Sequence, residues 1–315
     1  MKALVTGAAG FVGSHLSSAL LDAGAEVTGV DIFTDYYERD RKEANLAGLI
    51  GRPGFRIVEA DLAEADLDTL MTGVDQVFHL AGQPGVRASW GLDFPVYVRQ
   101  NVTVTQRVLE ACRRADPVRV VYASSSSVYG DAEAYPTGES LRPQPVSPYG
   151  VTKLAGEHLC EVYRRSFGLS VVSLRLFTVY GPRQRPDMAF ARLVRAAVRG
   201  EPFEVYGDGR QTRDFTFVDD VVRAMRDAAS SRWSGVANIG GGSRTSLNDV
   251  LGIVAGLCGD LRLVYLQAAR GDVRDTAADT SVAAGAFGYA ARTSLPEGLA
   301  AMVAWERAGL QAMAG

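Results

Sequence analysis

Short apolar runs alternate with stretches of helical periodicity through the first half of the chain. Strands are expected at Lys2–Thr6, Glu26–Asp31, Phe55–Glu59, Gln76–Leu80, Arg119–Ser124 and Ser170–Leu176. Between them, Gly13–Ala23, a segment around Glu38–Leu49, Leu67–Thr72, Val96–Ala115 and Pro148–Phe167 repeat their apolar positions with helical spacing. Strand and helix in alternation predict βαβ units and a parallel sheet covered on both faces, and the unbroken apolar character of VRVVYA and VVSLRL fits doubly buried strands. The expected fold class is therefore α/β, a Rossmann doubly wound parallel sheet with a smaller mixed α/β domain.

Beyond residue 177 the regularity fades into a segment rich in Pro and Arg, followed by helices at Ala189–Arg199, Val218–Ser230, near Leu247–Leu257 and near Pro296–Gln311. This pattern predicts a cofactor domain over 1–177, to which 214–242 returns. A smaller substrate domain is then expected from 178–213 and 243–315. Ligands of such sheets sit beyond the carboxyl ends of the strands, so the site is expected between the two domains.

Composition narrows the function. A net charge of −3 without a basic tract excludes the electrostatic footprint of nucleic-acid or anionic-membrane binding. No apolar run reaches the roughly 18 residues of a membrane span, and the opening MKALVTGAAG reads as strand and turn rather than a secretion signal. A cytoplasmic location is expected. Cys112, Cys160 and Cys258 form no metal-ligand spacing and are expected as reduced thiols, and no metal site is expected. Only three of the 33 basic residues are lysines, Lys2, Lys42 and Lys153, so an internal lysine invites a chemical explanation.

The cofactor signal is TGAAGFVGSHL, which sets Gly7, Gly10 and Gly13 between the first strand and the first helix. Glycines there permit a tight turn and close backbone approach to a pyrophosphate, whose charge the free N–H groups of the helix start receive. The second strand ends in Asp31, 18 residues past Gly13. A carboxylate at that position accepts hydrogen bonds from ribose hydroxyls and repels a 2′-phosphate, which selects NAD over NADP. Asp61 and Leu62 follow the third strand and could meet the adenine, with a solvated turn as the alternative for Asp61.

The reacting centre lies in SPYGVTK, where Tyr149 and Lys153 are four apart on one helix face. The ammonium is expected to favour phenolate and so make Tyr149 a usable base. Upstream, VVYASSSSVYG brings serine hydroxyls to a strand end facing the same crevice.

Together with HLAGQPGVR, FTVYGPRQRPDMAF and GDGRQTRDFTFVDD, these motifs resemble the extended short-chain dehydrogenase/reductases that act on nucleotide sugars, most of all UDP-glucuronate 4-epimerases. The resemblance implies that Ser125 is the catalytic hydroxyl, Tyr149 the base and Lys153 its electrostatic partner, also bonded to the nicotinamide ribose. It adds Phe11, Val12, Leu80 and Ala81 to the cofactor contacts. It implies epimerisation at C4 of a UDP-sugar through a 4-keto intermediate, NAD being regenerated in each cycle.

Relatives that dehydrate carry Asp-Glu where this chain has Ser126 and Ser127, and decarboxylases carry Glu where Ser127 stands; both reactions are disfavoured. A 4-keto uronate is a β-keto acid, so an epimerase must keep its carboxylate out of line with the carbonyl. The candidate holders are Arg87, Ser126, Ser127, Thr178 and Arg185, although Arg185 could pair with Asp187 instead. The resemblance assigns Arg192, Arg213 and Arg274 to the diphosphate and Gln211 and Asp272 to the ribose. It also implies a homodimer joined through the helices Val96–Ala115 and Pro148–Phe167. The competing readings are a UDP-glucose 4-epimerase, a UDP-glucuronate decarboxylase, and a non-catalytic NAD-sensing scaffold, which would be expected to lose the Tyr or Lys that this chain retains.

Overall fold

In the computed structural model, which describes residues 1–115, 117–267 and 273–314, the apolar runs form one seven-stranded sheet. Its strands are β1 (Lys2–Thr6), β2 (Glu26–Asp31), β3 (Phe55–Glu59), β4 (Gln76–His79), β5 (Arg119–Ser125), β6 (Ser170–Leu176) and β7 (Gly235–Ile239). They lie in the order β7-β6-β5-β4-β1-β2-β3, and every pairing is parallel. The order reverses at β1, between β4 and β2, which opens a crevice beyond the carboxyl ends of β1 and β4.

Alternation along the strands divides the core into two layers. Ala3, Val5, Val121 and Val172 face α1 (Phe11–Asp22) and, further along the chain, the helix Val218–Ser230. Leu4, Val77, Val120 and Val171 face α2 (Val104–Arg114) and α3 (Pro148–Phe167). The central strands β1, β5 and β6, covered on both faces, read as continuous apolar runs, whereas the edge strand β3 exposes Arg56 and Glu59.

Ser147 caps α3 by accepting a hydrogen bond from Gly150 N at 3.1 Å, and Pro148 occupies the first turn, where its missing N–H costs nothing. Gly168, in the left-handed region at φ 72°, ends the helix. The expected helix Val96–Ala115 differs in its middle: Val98–Thr103 winds as a π-helix between Phe94–Tyr97 and α2. Such a bulge turns one residue away from the regular face, and here it delivers Asn101 inward.

The later segments add small sheets: Pro202–Tyr206 pairs with Arg262–Leu266, and Thr212–Asp214 with Arg244–Ser246. β7 joins the edge of the main sheet beside β6. Among the described residues no helix is long and apolar enough to cross a membrane. Cys112 and Cys160 are buried free thiols, each pushed up to about 12 by burial, and Cys258 is a half-buried one.

Gly156 sets how closely α3 approaches β5, because a Cβ there would stand 2.1 Å from the hydroxyl of buried Tyr122. Gly156→Ala is expected to destabilise the fold by about 1–3 kcal/mol through overpacking. Adding Tyr122→Phe removes the atom the new methyl meets and should recover part of that loss, as read from urea unfolding midpoints.

Candidate active site

The crevice is a cleft of about 450 Å³ floored by the carboxyl ends of the sheet. Its cofactor end is built from the glycine turn. Gly7 has φ 71° and its Cα lies so near the next loop that a Cβ would stand 3.0 Å from Ala81 N. A Cβ on Gly13 would fall 2.1 Å from Gly7 O, so only glycine lets α1 start this close to the turn. The start of α1 has no side-chain cap, which leaves its first N–H groups facing the cleft. This cradle fits a dinucleotide pyrophosphate. Phe11, Val12, Leu62, Leu80 and Ala81 line the same cleft.

Asp31 is buried at the end of β2, where its carboxylate accepts from Ala9 N at 3.1 Å and Phe33 N at 2.8 Å. Lys42 Nζ, also buried, lies 3.3 Å from Asp31 Oδ1. Thus a second of the three lysines lines the cofactor end. Its rarity was the only trace of this in the sequence, since the contact depends on how a loop returns to β2. Arg39 and Arg41 are engaged elsewhere, with Glu43 and Glu59 and with Glu38. Asp61 lies in the turn after β3, where it pairs with Arg99 and accepts from Ala63 N at 2.9 Å, while its neighbours Ala60 and Leu62 line the cleft.

At the reacting end, Ser125, Ser126, Ser127, Tyr149, Lys153, Thr178 and Arg185 share the cleft. Ser125 ends β5 in extended conformation and Ser127 N donates to its Oγ at 3.1 Å, so the hydroxyl is held at the strand end. Ser125 Oγ donates to Ser127 Oγ at 3.1 Å, and the Tyr149 phenol lines the same cleft. The electrostatics differ from the sequence expectation. Burial raises the phenol of Tyr149, opposed by the Ser125 hydrogen bond and by the Arg185 charge. The Lys153 ammonium meanwhile donates to Ala123 O at 2.9 Å and lies 5.2 Å from the Tyr122 ring centre. Burial pushes Lys153 itself down to about 8.

A buried polar chain braces this end. Thr6 Oγ1 accepts from Leu80 N and Ala81 N at 3.1 and 3.0 Å, so its proton goes to His79 Nδ1 at 2.9 Å. His79 is held neutral, near 3, by burial and then by the Lys153 charge, and its Nε2–H donates to Thr105 Oγ1 at 3.0 Å. Thr105 donates to Asn101 O at 2.7 Å. The Asn101 amide then binds both polar atoms of the Gln83 backbone, at 2.7 and 3.0 Å, and donates to Thr152 Oγ1 at 2.9 Å. Thr152 in turn donates to Tyr149 O at 2.8 Å. Asn101 was not a candidate from the sequence, because helical periodicity cannot signal a π-bulge.

Of the expected nucleotide contacts, Gln211 donates to the carbonyl of Tyr206 at 3.3 Å. Arg87, expected at the carboxylate, lies 5.0 Å over the Tyr206 ring. The Tyr206 hydroxyl donates to Glu204 at 3.3 Å, and Glu204 pairs with Arg192 at 2.7 Å. Arg213 grips the carbonyls of Thr212 and Arg274 at 2.9 and 2.8 Å. Asp272 lies outside the described residues.

A parallel sheet with a glycine cradle at one end of its crevice and a Ser–Tyr–Lys centre at the other defines a nucleotide-cofactor enzyme working on a hydroxyl or carbonyl carbon. Comparison with known proteins narrows this class. The family model NAD dependent epimerase/dehydratase matches residues 3–240, and the chain belongs to that family. A relative in Bacillus subtilis strain 168, the uncharacterized UDP-glucose epimerase YtcB, is 43% identical over 309 residues, spanning 97% of this chain and 98% of its own. The UDP-glucuronic acid 4-epimerase of Bacillus cereus, solved with UDP-glucuronic acid and NAD, is 42% identical with a TM-score of 0.94, covering 98% of this chain and 99% of that one. MoeE5, solved with UDP-glucose and NAD, is 47% identical with a TM-score of 0.88, covering 98% and 100%; it has also been solved with UDP-glucuronic acid.

The buried lysine yields a signed prediction. Between about pH 8 and the ordinary value of 10.5, the unfolded chain binds the Lys153 proton and the folded chain does not. The stability of the cofactor-free protein relative to Lys153→Met should therefore rise across that window, by on the order of 3 kcal/mol, and be flat below it. Urea unfolding of both proteins from pH 7 to 10.5 checks this.

Proposed function

We propose that this chain is an NAD-dependent UDP-sugar 4-epimerase whose substrate is UDP-glucuronate, converted to UDP-galacturonate. The observation that carries the reading is the company of Arg185: a guanidinium fork shares one cleft with the Ser125–Tyr149 pair and the hydroxyls of Ser126, Ser127 and Thr178. A neutral hexose needs no such cation, whereas a C6 carboxylate is matched by the fork and by short hydroxyl donors. Ser126 and Ser127 are not carboxyl groups and cannot supply the acid and base that dehydration needs.

NAD, when bound, supplies reversible removal and return of the C4 hydrogen with its electron pair. The protein's part is acid–base work and orientation. Tyr149, which shares the cleft with Ser125, takes the O4 proton and gives it back when the alcohol re-forms. Ser125 holds O4 in both protonation states. Lys153, protonated at neutral pH, offers N–H donors beside the cofactor ribose and a positive field that favours phenolate once the cofactor adds its own. After the carbon is flat, the sugar must turn its other face, so its grip on the protein is expected at the nucleotide end. Gln211, Arg192, Arg213 and Arg274 are the residues we assign to that anchor, together with Arg87, expected from the sequence as a carboxylate holder, because Arg87, Gln211 and, through Glu204, Arg192 meet Tyr206.

UDP-glucose is the second reading. It is favoured by the name of the B. subtilis relative and by the MoeE5 complex with that sugar.

A cytoplasmic homodimer is part of the proposal. Phe94, Val98, Val151, Val162 and Phe167 leave apolar surface exposed along Phe94–Tyr97, the π segment and α3. A second copy would cover it by pairing these helices.

The test is incubation of the purified protein with UDP-glucuronate and, separately, UDP-glucose, with products resolved by anion-exchange chromatography and proton NMR. UDP-galacturonate is expected from the wild type, and Tyr149→Phe should be slower by about 10²–10⁴-fold. A UDP-pentose as main product would replace the reading by decarboxylation, and turnover of UDP-glucose alone would move the substrate to a neutral hexose.

A further inference from the structure

Arg185 is not loose in its loop. Its Nε donates to Asp187 Oδ1 and its Nη2 to Asp187 Oδ2, both at 3.0 Å, so one edge of the guanidinium is held side-on by a residue two positions away. Tyr36 reaches the same carboxylate from a segment 151 residues away: its hydroxyl donates to Asp187 Oδ2 at 3.4 Å, and the Arg185 guanidinium lies 5.7 Å from its ring centre. Tyr36 is itself confined, because a Cβ on Gly85 would stand 2.4 Å from its hydroxyl. It belongs to the segment that follows Asp31 and lines the cofactor cleft. The orientation of one cation is thus fixed from both the cofactor side and the substrate side. Asp187 takes Nε and Nη2, and leaves Nη1 unengaged by that pair.

We propose that Asp187 and Tyr36 are positioning residues that lock the torsion of Arg185, and that this lock is what keeps the substrate's carboxylate from leaving as CO₂. The inference rests on the uronate reading above. In a 4-keto uronate the C6 carboxylate is β to the C4 carbonyl. When the C5–C6 bond lies parallel to the carbonyl π system, it can break: CO₂ departs, the bonding pair becomes the C4–C5 π bond of an enolate on O4, and a proton added at C5 gives a UDP-4-keto-pentose. No oxidant is needed beyond the C4 oxidation that epimerisation already includes. A carboxylate bound end-on by an immobile fork is held at one dihedral angle. The same carboxylate on a freely rotating arginine samples the aligned one. The Asp187 pairing, which in the sequence looked like an alternative to substrate binding, is on this view its precondition.

The test compares NAD-loaded wild type, Asp187→Ala, Asp187→Glu and Tyr36→Phe. Each is given UDP-glucuronate, and the ratio of UDP-4-keto-pentose to UDP-galacturonate is read by NMR. Binding of UDP-glucuronate and of UDP-glucose is measured by calorimetry with the same substitutions placed in Tyr149→Phe, where turnover is slowed. Asp187→Ala should raise the pentose share about tenfold or more, the scale on which a loosened reacting geometry acts. Tyr36→Phe should raise it less, and Asp187→Glu should restore part of the wild-type ratio. Affinity for UDP-glucuronate should weaken about three- to tenfold, the cost of ordering one flexible side chain, while that for UDP-glucose stays the same. An unchanged product ratio in an active Asp187→Ala protein overturns the proposal, as does equal weakening for both ligands, which would mark general loss of structure. Should Asp187→Ala fail to fold, Tyr36→Phe decides by the same two measures. A wild type that ignores UDP-glucuronate defeats the uronate reading and this inference with it; a wild type that epimerises it while the variants keep its ratio defeats only this one.

Discussion

The polar seam between β1, β4 and α3 is the constraint on which the rest of the site depends. Thr6, His79, Thr105, Asn101 and Thr152 are all buried, so none can turn to water for a partner. Each must be satisfied by the next, and the chain of bonds has one consistent direction of donation. That direction fixes the His79 tautomer, fixes the Asn101 amide, and ends on the carbonyl of Tyr149. At its other end it holds Leu80 and Ala81 against Gly7. The glycine turn and Tyr149 are therefore parts of one rigid network, and displacing either would leave a buried donor or acceptor unpaired.

A second network ties the carboxyl ends of β5, β6 and β7 to the later segments of the chain. Glu157 and Arg175 form a buried ion pair at 2.7 Å, and Ser124 donates to the same carboxylate. Arg175 lies 4.6 Å over the Tyr129 ring, whose hydroxyl donates to Asn238 at 2.8 Å. The Asn238 amide then donates to the carbonyls of Thr137 and Asp279. An ion pair this buried contributes little net stability, because both charges have left water; its effect is to permit a single arrangement. Here that arrangement sets the strand end bearing Ser124 and Ser125 next to Lys153. The charge of Lys153 is in turn disfavoured by burial, which leaves it able to respond to whatever occupies the cleft.

Much of this was legible in the chain. Doubly buried parallel strands need apolar residues on both faces, so β1, β5 and β6 stood out as unbroken apolar runs, and α3 was marked by its Ser-Pro start. The glycine turn, Asp31, and the spacing of Tyr149 and Lys153 are local features, fixed by covalent neighbours within one turn or one strand end. They could be read because the chemistry proposed for them needs those residue types at those separations.

What only the tertiary structure decided involves residues far apart in sequence, or competition between effects of similar size. The π-bulge that turns Asn101 inward leaves no mark on hydrophobic periodicity. Lys42 meets Asp31, and Tyr36 meets Asp187 across 151 residues, only because loops return to the same crevice. The helix-face argument brought Lys153 near Tyr149 but could not weigh burial against charge. In the folded protein desolvation outweighs charge, so the phenol is raised, and the lysine's proton donors reach a carbonyl of β5 instead. The sequence by itself determined which groups are available for chemistry, since local spacing is covalent. The fold decided how each is charged and aimed, since solvation and through-space neighbours belong to the packed molecule alone.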